Sequence, residues 1–108
     1  MAFTSQSRNI RMIGSRLAAD VQAPNNPNIY RPFELDLNPF LENRWGRFDT
    51  LAIFGNFFPS SRNVRINNEG LLTCELNNGS GGWTQASIDL NVFVGTYAGI
   101  LLFRRLAT

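Results

Sequence analysis

Ser7-Arg8-Asn9-Ile10-Arg11-Met12 returns 54 residues later as Ser61-Arg62-Asn63-Val64-Arg65-Ile66. Four of the six positions are identical, and the other two are apolar in both copies. At the same offset Phe3 falls on Phe57. An offset of 53 lays Leu35-Asp36-Leu37-Asn38 over Ile88-Asp89-Leu90-Asn91 and pairs Tyr30 with Trp83, Phe40 with Phe93 and Gly46 with Gly99. An offset of 55 brings Leu17, Ala19 and Val21 onto Leu72, Cys74 and Leu76. One-residue insertions in loops account for the drift. The chain therefore reads as two tandem copies of a unit of roughly 50 residues. Repeat one is 1–54 and repeat two is 55–108, with the joint near Leu51 to Asn56, inside one domain spanning 1–108.

Each copy reads as short strands. Arg8 to Met12 and Arg62 to Ile66 alternate polar and apolar residues with period two. Leu17, Ala19 and Val21 share one face, with Ala18 and Asp20 on the other; Leu72, Cys74 and Leu76 do the same opposite Thr73 and Glu75. Gly14-Ser15 and Asn67-Asn68-Glu69-Gly70 supply the intervening turns. A third strand is expected over about Ile29 to Leu35 and again over Trp83 to Ile88, with Asn25-Asn26-Pro27-Asn28 as a loop. Pro39 lacks a donor for a central ladder, so Leu37-Asn38-Pro39 is read as a short helical turn. A hairpin follows at Glu42–Gly46 and at Gly95–Gly99, its glycine suited to positive φ. Strands around Arg47–Thr50 and Ile100–Arg104 close the copies. The fold class is all-β, with no long helical periodicity.

Composition narrows the function. Hydrophobic residues make up 44% and charged residues 17% of 108 residues, enough for a buried core. No apolar stretch approaches the ~20 residues of a membrane-spanning helix, so membrane insertion is not expected. Met1 to Gln6 shows no charged-then-apolar signal pattern, which gives a cytoplasmic expectation. Histidine is absent, which removes the commonest general base and metal ligand. No nucleophile–base–orienter set is visible, so no enzyme activity, metal or cofactor is expected. All ten basic residues are arginine, and only Arg104 and Arg105 are adjacent. That dispersion is not the stripe of a nucleic-acid binder. Cys74 sits on the apolar face and reads as an inert core thiol. Asp36 and Asp89, one per copy, read as turn-bonding groups in preference to a glycosidase carboxylate pair. Gly79-Ser80-Gly81-Gly82 is followed by no lysine, so it reads as a turn and not a phosphate loop.

In the second copy the series Leu72-Thr73-Cys74, Gly81-Gly82-Trp83, Ala86-Ser87-Ile88-Asp89-Leu90-Asn91 and Gly99-Ile100-Leu101 resembles the repeat of the cyanovirin-N homology family. The first copy resembles it more loosely, through Leu35-Asp36-Leu37-Asn38 and Asn43-Arg44-Trp45-Gly46-Arg47-Phe48. The resemblance covers nearly the whole chain and is of the fungal-type, disulfide-free kind. It implies two pseudo-symmetric, strand-exchanged β halves with short 3-10 turns, half A about 1–39 plus 93–108 and half B about 40–92. It also implies a lectin recognising α1-2-linked, high-mannose glycans. The positions where many members carry a disulfide are Ser7 with Val21 and Ser61 with Leu76. The alternative is a cyanovirin-like scaffold with decayed sugar sites, serving as a protein-interaction module. Either form is compatible with a monomer or with a dimer swapped through the Leu51–Asn56 joint.

The resemblance also implies two sugar sites, each assembled from three segments. One takes Glu42 to Trp45, about Asn56 to Ser60, and Asn77 to Gly81; its candidates are Glu42, Asn43, Trp45, Asn56, Ser60, Asn78 and Gly79. The other takes about Ala2 to Gln6, Gln22 to Asn25, and Gly95 to Ala98; its candidates are Gln6, Gln22, Pro24, Thr96 and Ala98. Asparagine donates and accepts from one side chain, carboxylates accept, and arginine donates in a fork, which suits an array of sugar hydroxyls. The thirteen asparagines also suit turns, because asparagine tolerates left-handed backbone. The first site keeps a carboxylate and amides and is expected to bind better than the second, whose hairpin carries Thr96 and Ala98. Trp45 can stack on a sugar or pack within its hairpin; Tyr97 is expected to pack. With one cysteine, reductant should leave the Tm of the monomer unchanged. A large shift in a thermal melt of the monomer would overturn the cysteine argument.

Overall fold

Two residues with positive φ set the start of each copy. Asn9 and Asn63 lie at φ 57° and 56°, the left-handed region that asparagine enters at low cost. There each first strand gains one residue over its partner. Arg8 faces Asp20 and Arg11 faces Ala18; in the second copy Arg62 faces Glu75 and Arg65 faces Thr73. This is a β-bulge, and it corrects the unbroken period-two reading of Arg8–Met12 and Arg62–Ile66. The identical Ser-Arg-Asn of the two copies is the sequence of that bulge.

A computed structural model of the chain describes residues 3–50 and 55–104. A 3-10 turn (Phe3–Gln6) leads into β1 (Ser7–Ile13), β2 (Arg16–Ala23) and β3 (Asn26–Asp36), an antiparallel sheet in the order β1-β2-β3. Then come the hairpin β4 (Glu42–Arg44) and β5 (Arg47–Asp49) and a second 3-10 turn (Phe58–Ser60). The pattern repeats as β6 (Ser61–Ile66), β7 (Leu71–Asn77) and β8 (Trp83–Asp89), a third 3-10 turn (Leu90–Val92), and the hairpin β9 (Val94–Tyr97) and β10 (Ile100–Phe103). No α-helix occurs among the described residues. The β9–β10 hairpin packs through β10 on β3, and the β4–β5 hairpin packs through β5 on β8. Each hairpin therefore serves the sheet of the other copy. Residues 51–54 of the joint, Ala2 and Arg105 lie outside the described residues.

Strand β3 begins at Asn26, earlier than the expected Ile29, and takes in both Pro27 and Pro32. Pro32 is tolerated because β3 lies at the edge of its sheet, where a missing N–H breaks no inner ladder, and Pro27 because it falls in the register irregularity between Asn26 and Tyr30. Asn26 still bonds like a turn residue, its Oδ1 accepting from Asn28 N at 3.0 Å.

The equivalent residues bury equivalently. Phe3 and Phe57, Leu17 and Leu72, Val21 and Leu76, and Leu37 and Leu90 are all fully buried. Ile10, Met12, Val64 and Ile66 pack against that core from its margin. Ala18 is also fully buried, so β2 is covered on both faces there. Phe40 of the first copy stacks on Phe103 at 4.7 Å between ring centroids, and Phe103 stacks on Phe93 at 5.8 Å. Stacked aromatic pairs of this kind contribute about 0.5–1.5 kcal/mol beyond their burial, and the Phe40–Phe103 pair crosses from one copy to the other. Arg8 lies over Tyr30 at 3.9 Å and Arg62 over Trp83 at 4.2 Å, the same cation–π contact on each sheet.

Cys74 is buried, and burial together with the neighbouring Glu75 carboxylate pushes its thiol up to about 11. A thiol that ionises more easily unfolded than folded stabilises the fold in its neutral form. That contribution is complete below the unfolded pKa and is lost as pH rises toward the folded one. Stability should therefore decline between pH values of about 9 and about 11, and the Cys74→Ala variant should lose that component of the decline in denaturant melts.

Ser7 faces Val21 and Ser61 faces Leu76 directly across the strands. The buried Ser7 Oγ has no hydrogen-bond partner among the described residues. Its burial costs about 1–3 kcal/mol in lost hydration, so Ser7→Ala should match or exceed the wild-type Tm. Ser7→Cys with Val21→Cys should close a loop of about 15 residues and raise stability by about 3 kcal/mol when oxidised. A Tm unchanged between oxidised and reduced double variant would show that the pairing seen here does not suit a bridge.

Candidate functional site

Both hairpins turn through two left-handed residues. Trp45 and Gly46 have φ 55° and 90°; Ala98 and Gly99 have φ 53° and 82°. These are two-residue turns of the kind that matches strand twist, but a tryptophan is a costly choice for the first position. Its backbone strain coincides with an indole that is 77% exposed. The indole lies against Gly79 through its six-membered ring: a Cβ built on Gly79 would sit 2.6 Å from its Cζ3. Gly79 itself has φ 82°. The glycine is required twice, for its own conformation and for the ring above it.

Below this indole the first candidate site forms an open pocket of about 390 Å³ lined by Glu42, Asn43, Arg44, Trp45, Ser60, Asn77 and Gly79. Asn43 organises it. Its Nδ2 donates to Ser60 Oγ and to the Asn77 carbonyl, both at 2.9 Å, and its Oδ1 accepts from Gly46 N at 2.9 Å. One side chain thus ties the first hairpin to the strand entry and the β7–β8 loop of the second copy. Glu42 accepts from Arg44 at 3.3 Å, and Arg44 also meets Asp49 at 3.0 Å. Ser60 Oγ donates to the Phe57 carbonyl at 3.1 Å.

Glu42, Asn43, Trp45, Ser60 and Gly79 are brought together here, whereas Asn56 and Asn78 do not line the pocket. Asn56, at φ 68°, turns toward the Asn38 turn, and its Oδ1 accepts from Asn38 Nδ2 at 3.3 Å. Asn78 Oδ1 is engaged within its own loop by Ser80 N at 2.9 Å and Gly82 N at 3.2 Å. Asn77, one residue earlier, takes the expected place and holds Gly79 N at 2.9 Å. Arg44 and Asn77 fall within the expected segments Glu42 to Trp45 and Asn77 to Gly81 without being among the candidates named from sequence. The register of the hairpin, Glu42 opposite Asp49, is the signal that places a cation between them.

The second candidate site gathers Gln6, Gln22, Pro24, Thr96 and Ala98 around a cavity of about 290 Å³, with Tyr97 and Gly99 at its margin. The Thr96 hydroxyl donates to Gln6 Oε1. By the offsets of the repeat, Thr96 stands where Asn43 stands and Gln6 where Ser60 stands. The hairpin-to-entry hydrogen bond is thus kept with different donors and acceptors. Gln22 Nε2 donates to the Pro27 carbonyl at 3.0 Å. Tyr97, expected to pack, is 71% exposed. It sits in the last position of β9, beside the turn.

No group of three or more histidine, cysteine, aspartate or glutamate side chains able to hold a metal occurs among the described residues. Among them, too, no helix is long and apolar enough to cross a membrane.

Residues 3–102 match the CVNH domain. The chain belongs to the CVNH family. The solved structure of a MoCVNH3 variant (Mo0v) in complex with (N-GlcNAc)4 superposes with TM-score 0.83 at 24% identity, covering 94% of this chain and 95% of the other. GzCVNH of Gibberella zeae gives 0.78 at 28%, covering 95% and 97%. A microvirin:mannobiose complex gives 0.76 at 22%, covering 94% and 97%. No curated protein matches the sequence. The CVNH chain shares their fold over nearly its full length, with two hairpin-end pockets of differing chemistry.

Asn43 and Trp45 should separate in mutation. Asn43→Ala removes the side-chain partner of Gly46 N and the amide donor to the Asn77 carbonyl and Ser60 Oγ, and should cost about 1–3 kcal/mol in denaturant melts. Trp45→Asn places a residue tolerant of left-handed backbone in the turn and should leave stability equal or raise it by up to about 1 kcal/mol. A large loss of stability in Trp45→Asn would show that the indole holds the hairpin.

Proposed function

We propose that this chain is a lectin that binds mannose-type glycans, of the α1-2-linked high-mannose class, through the pocket beneath Trp45. The observation that carries this reading is the pocket itself. It lies within the few-hundred-Å³ range of small-ligand sites and joins a carboxylate, an amide network and an exposed indole at one hairpin end. An aromatic face suits the C–H surface of a pyranose, and fixed donors and acceptors suit its hydroxyls. Asn43 orients the loops around the ligand. Glu42 keeps an oxygen, Oε1, with no hydrogen-bond partner among the described residues. The second hairpin end is the weaker mannose site, because Thr96 and Gln6 use each other and Ala98 offers no ring. Binding without turnover fits side chains that hold and orient but form no nucleophile–base pair. The related structures with (N-GlcNAc)4 and with mannobiose support a sugar ligand and differ in which sugar.

The test is a titration of backbone amide signals with an α1-2 dimannoside. Shifts should cluster at residues 42–45, 60 and 77–79 before those at 6, 22–24 and 96–98. Glu42→Ala should weaken binding by about 10- to 100-fold. Movement with N-acetylglucosamine oligomers and none with the dimannoside would keep a lectin and overturn the mannose assignment. Silence with both would favour the protein-interaction scaffold.

A further inference from the structure

The two hairpin ends differ most at three positions that carry charge in the first copy. Glu42, Arg44 and Asp49 form an ion-paired cluster there. At an offset of 53 their counterparts are Gly95, Tyr97 and Leu102. The strand registers agree, since Glu42 faces Asp49 and Gly95 faces Leu102. All three replacements are uncharged. They line a cavity of about 320 Å³ together with Gln6, Thr96 and Arg104.

Arg104 occupies the space that the first copy gives to its acids. Its guanidinium lies over Gly95, where a Cβ would come within 3.1 Å of Cζ. The absence of a side chain at 95 thus removes a carboxylate and makes room for a cation. Arg16, Arg44 and Arg62 are each paired with a carboxylate. Arg104 has no carboxylate, hydrogen-bond or aromatic partner for its side chain among the described residues, and no acid lines its cavity. This cavity shares Gln6, Thr96 and Tyr97 with the candidate sugar site beside it. The two cavities adjoin at those residues, the one at the Gln22 end polar and neutral and the one at the Arg104 end cationic.

We propose that the second hairpin end binds an anionic glycan, its neutral ring against Gln22, Thr96 and Tyr97 and its negative group on Arg104. This rests on the reading that the hairpin ends take sugar. A guanidinium presents a fork of donors that matches a carboxylate or an esterified phosphate or sulfate. At the first hairpin end the corresponding cation, Arg44, is already paired with Glu42 and Asp49 and is not free for such a ligand. The weakness of the second end for mannose is then a difference in ligand, not the decay of a site.

The experiment is amide-signal titration of the full chain with five sugars: glucuronic acid methyl glycoside, its neutral glucose counterpart, mannose 6-phosphate, mannose, and the α1-2 dimannoside. The anionic member of at least one pair should bind at least about tenfold more tightly than its neutral partner. Its shifts should fall at residues 6, 95–97 and 102–104. The advantage should shrink with added salt, and Arg104→Gln should remove it while leaving dimannoside shifts at 42–45 unchanged. Preference for the glucuronide alone assigns a carboxylate ligand, and preference for the phosphate alone an ester. Equal binding of charged and neutral members, or an advantage that survives Arg104→Gln, overturns this proposal while the lectin reading stands. No shift with any sugar, the dimannoside included, overturns both.

Discussion

The asparagine of each Asp-Leu-Asn string holds the two copies together. Asn38, in the first copy, accepts through Oδ1 from Phe58 N at 2.9 Å, at the 3-10 turn that opens the second copy. Asn91, in the second, accepts from Thr4 N at 3.3 Å and Thr4 Oγ1 at 3.1 Å, at the 3-10 turn that opens the first. The aspartate two residues earlier shapes the turn that aims it: Asp36 Oδ1 accepts from Asn38 N and Asp89 Oδ1 from Asn91 N, both at 3.0 Å. The leucine between them is fully buried in each copy. Three consecutive residues therefore bend the chain, anchor the bend in the core and dock it on the opposite repeat. The hairpin that follows can then lie only on the other copy's sheet.

Both candidate sites inherit this reciprocity. The Asn43–Ser60 bond and the Thr96–Gln6 bond each join a hairpin of one copy to the strand entry of the other. Neither pocket exists within a single repeat. A ligand in either site bridges segments far apart in sequence and so stabilises the native arrangement by mass action. The same geometry explains why Asn43 belongs to the architecture of the pocket as much as to its chemistry: its amide protons are committed before any ligand arrives.

The repeat, the strands, the hairpins and the buried equivalents were legible because they follow from period and burial, which a sequence displays directly. The bulge was less so. Ser-Arg-Asn carries it, but a left-handed asparagine leaves the alternation around it looking intact. Strand β3 begins early because a register irregularity between Asn26 and Tyr30 lets the strand run past Pro27, and pairing register is a tertiary property. At the sites, the displacement from Asn78 to Asn77 has a similar origin. Adjacent asparagines in one loop are told apart only by which carbonyl Asn43 reaches and which oxygen Ser80 and Gly82 claim. Arg44 is invisible until the hairpin register sets Glu42 against Asp49.

Duplication lets one chain hold these constraints and still vary. The bulge asparagines, the Asp-Leu-Asn turns and the Phe40–Phe103–Phe93 stack act on the frame, and their residue types are the same in both copies where both supply one. The hairpin tips lie outside that frame. Trp45 accepts a strained backbone conformation that Ala98 meets with a far smaller side chain, and the ion cluster around Arg44 has no counterpart around Tyr97. Strain is tolerated at one tip because the other interactions of the copy over-determine its turn. Charge can be exchanged at the other because solvent reaches it and no core contact depends on it. Two ends built on one backbone plan are thereby free to differ in chemistry, with an indole and a carboxylate at one end and the Arg104 guanidinium at the other.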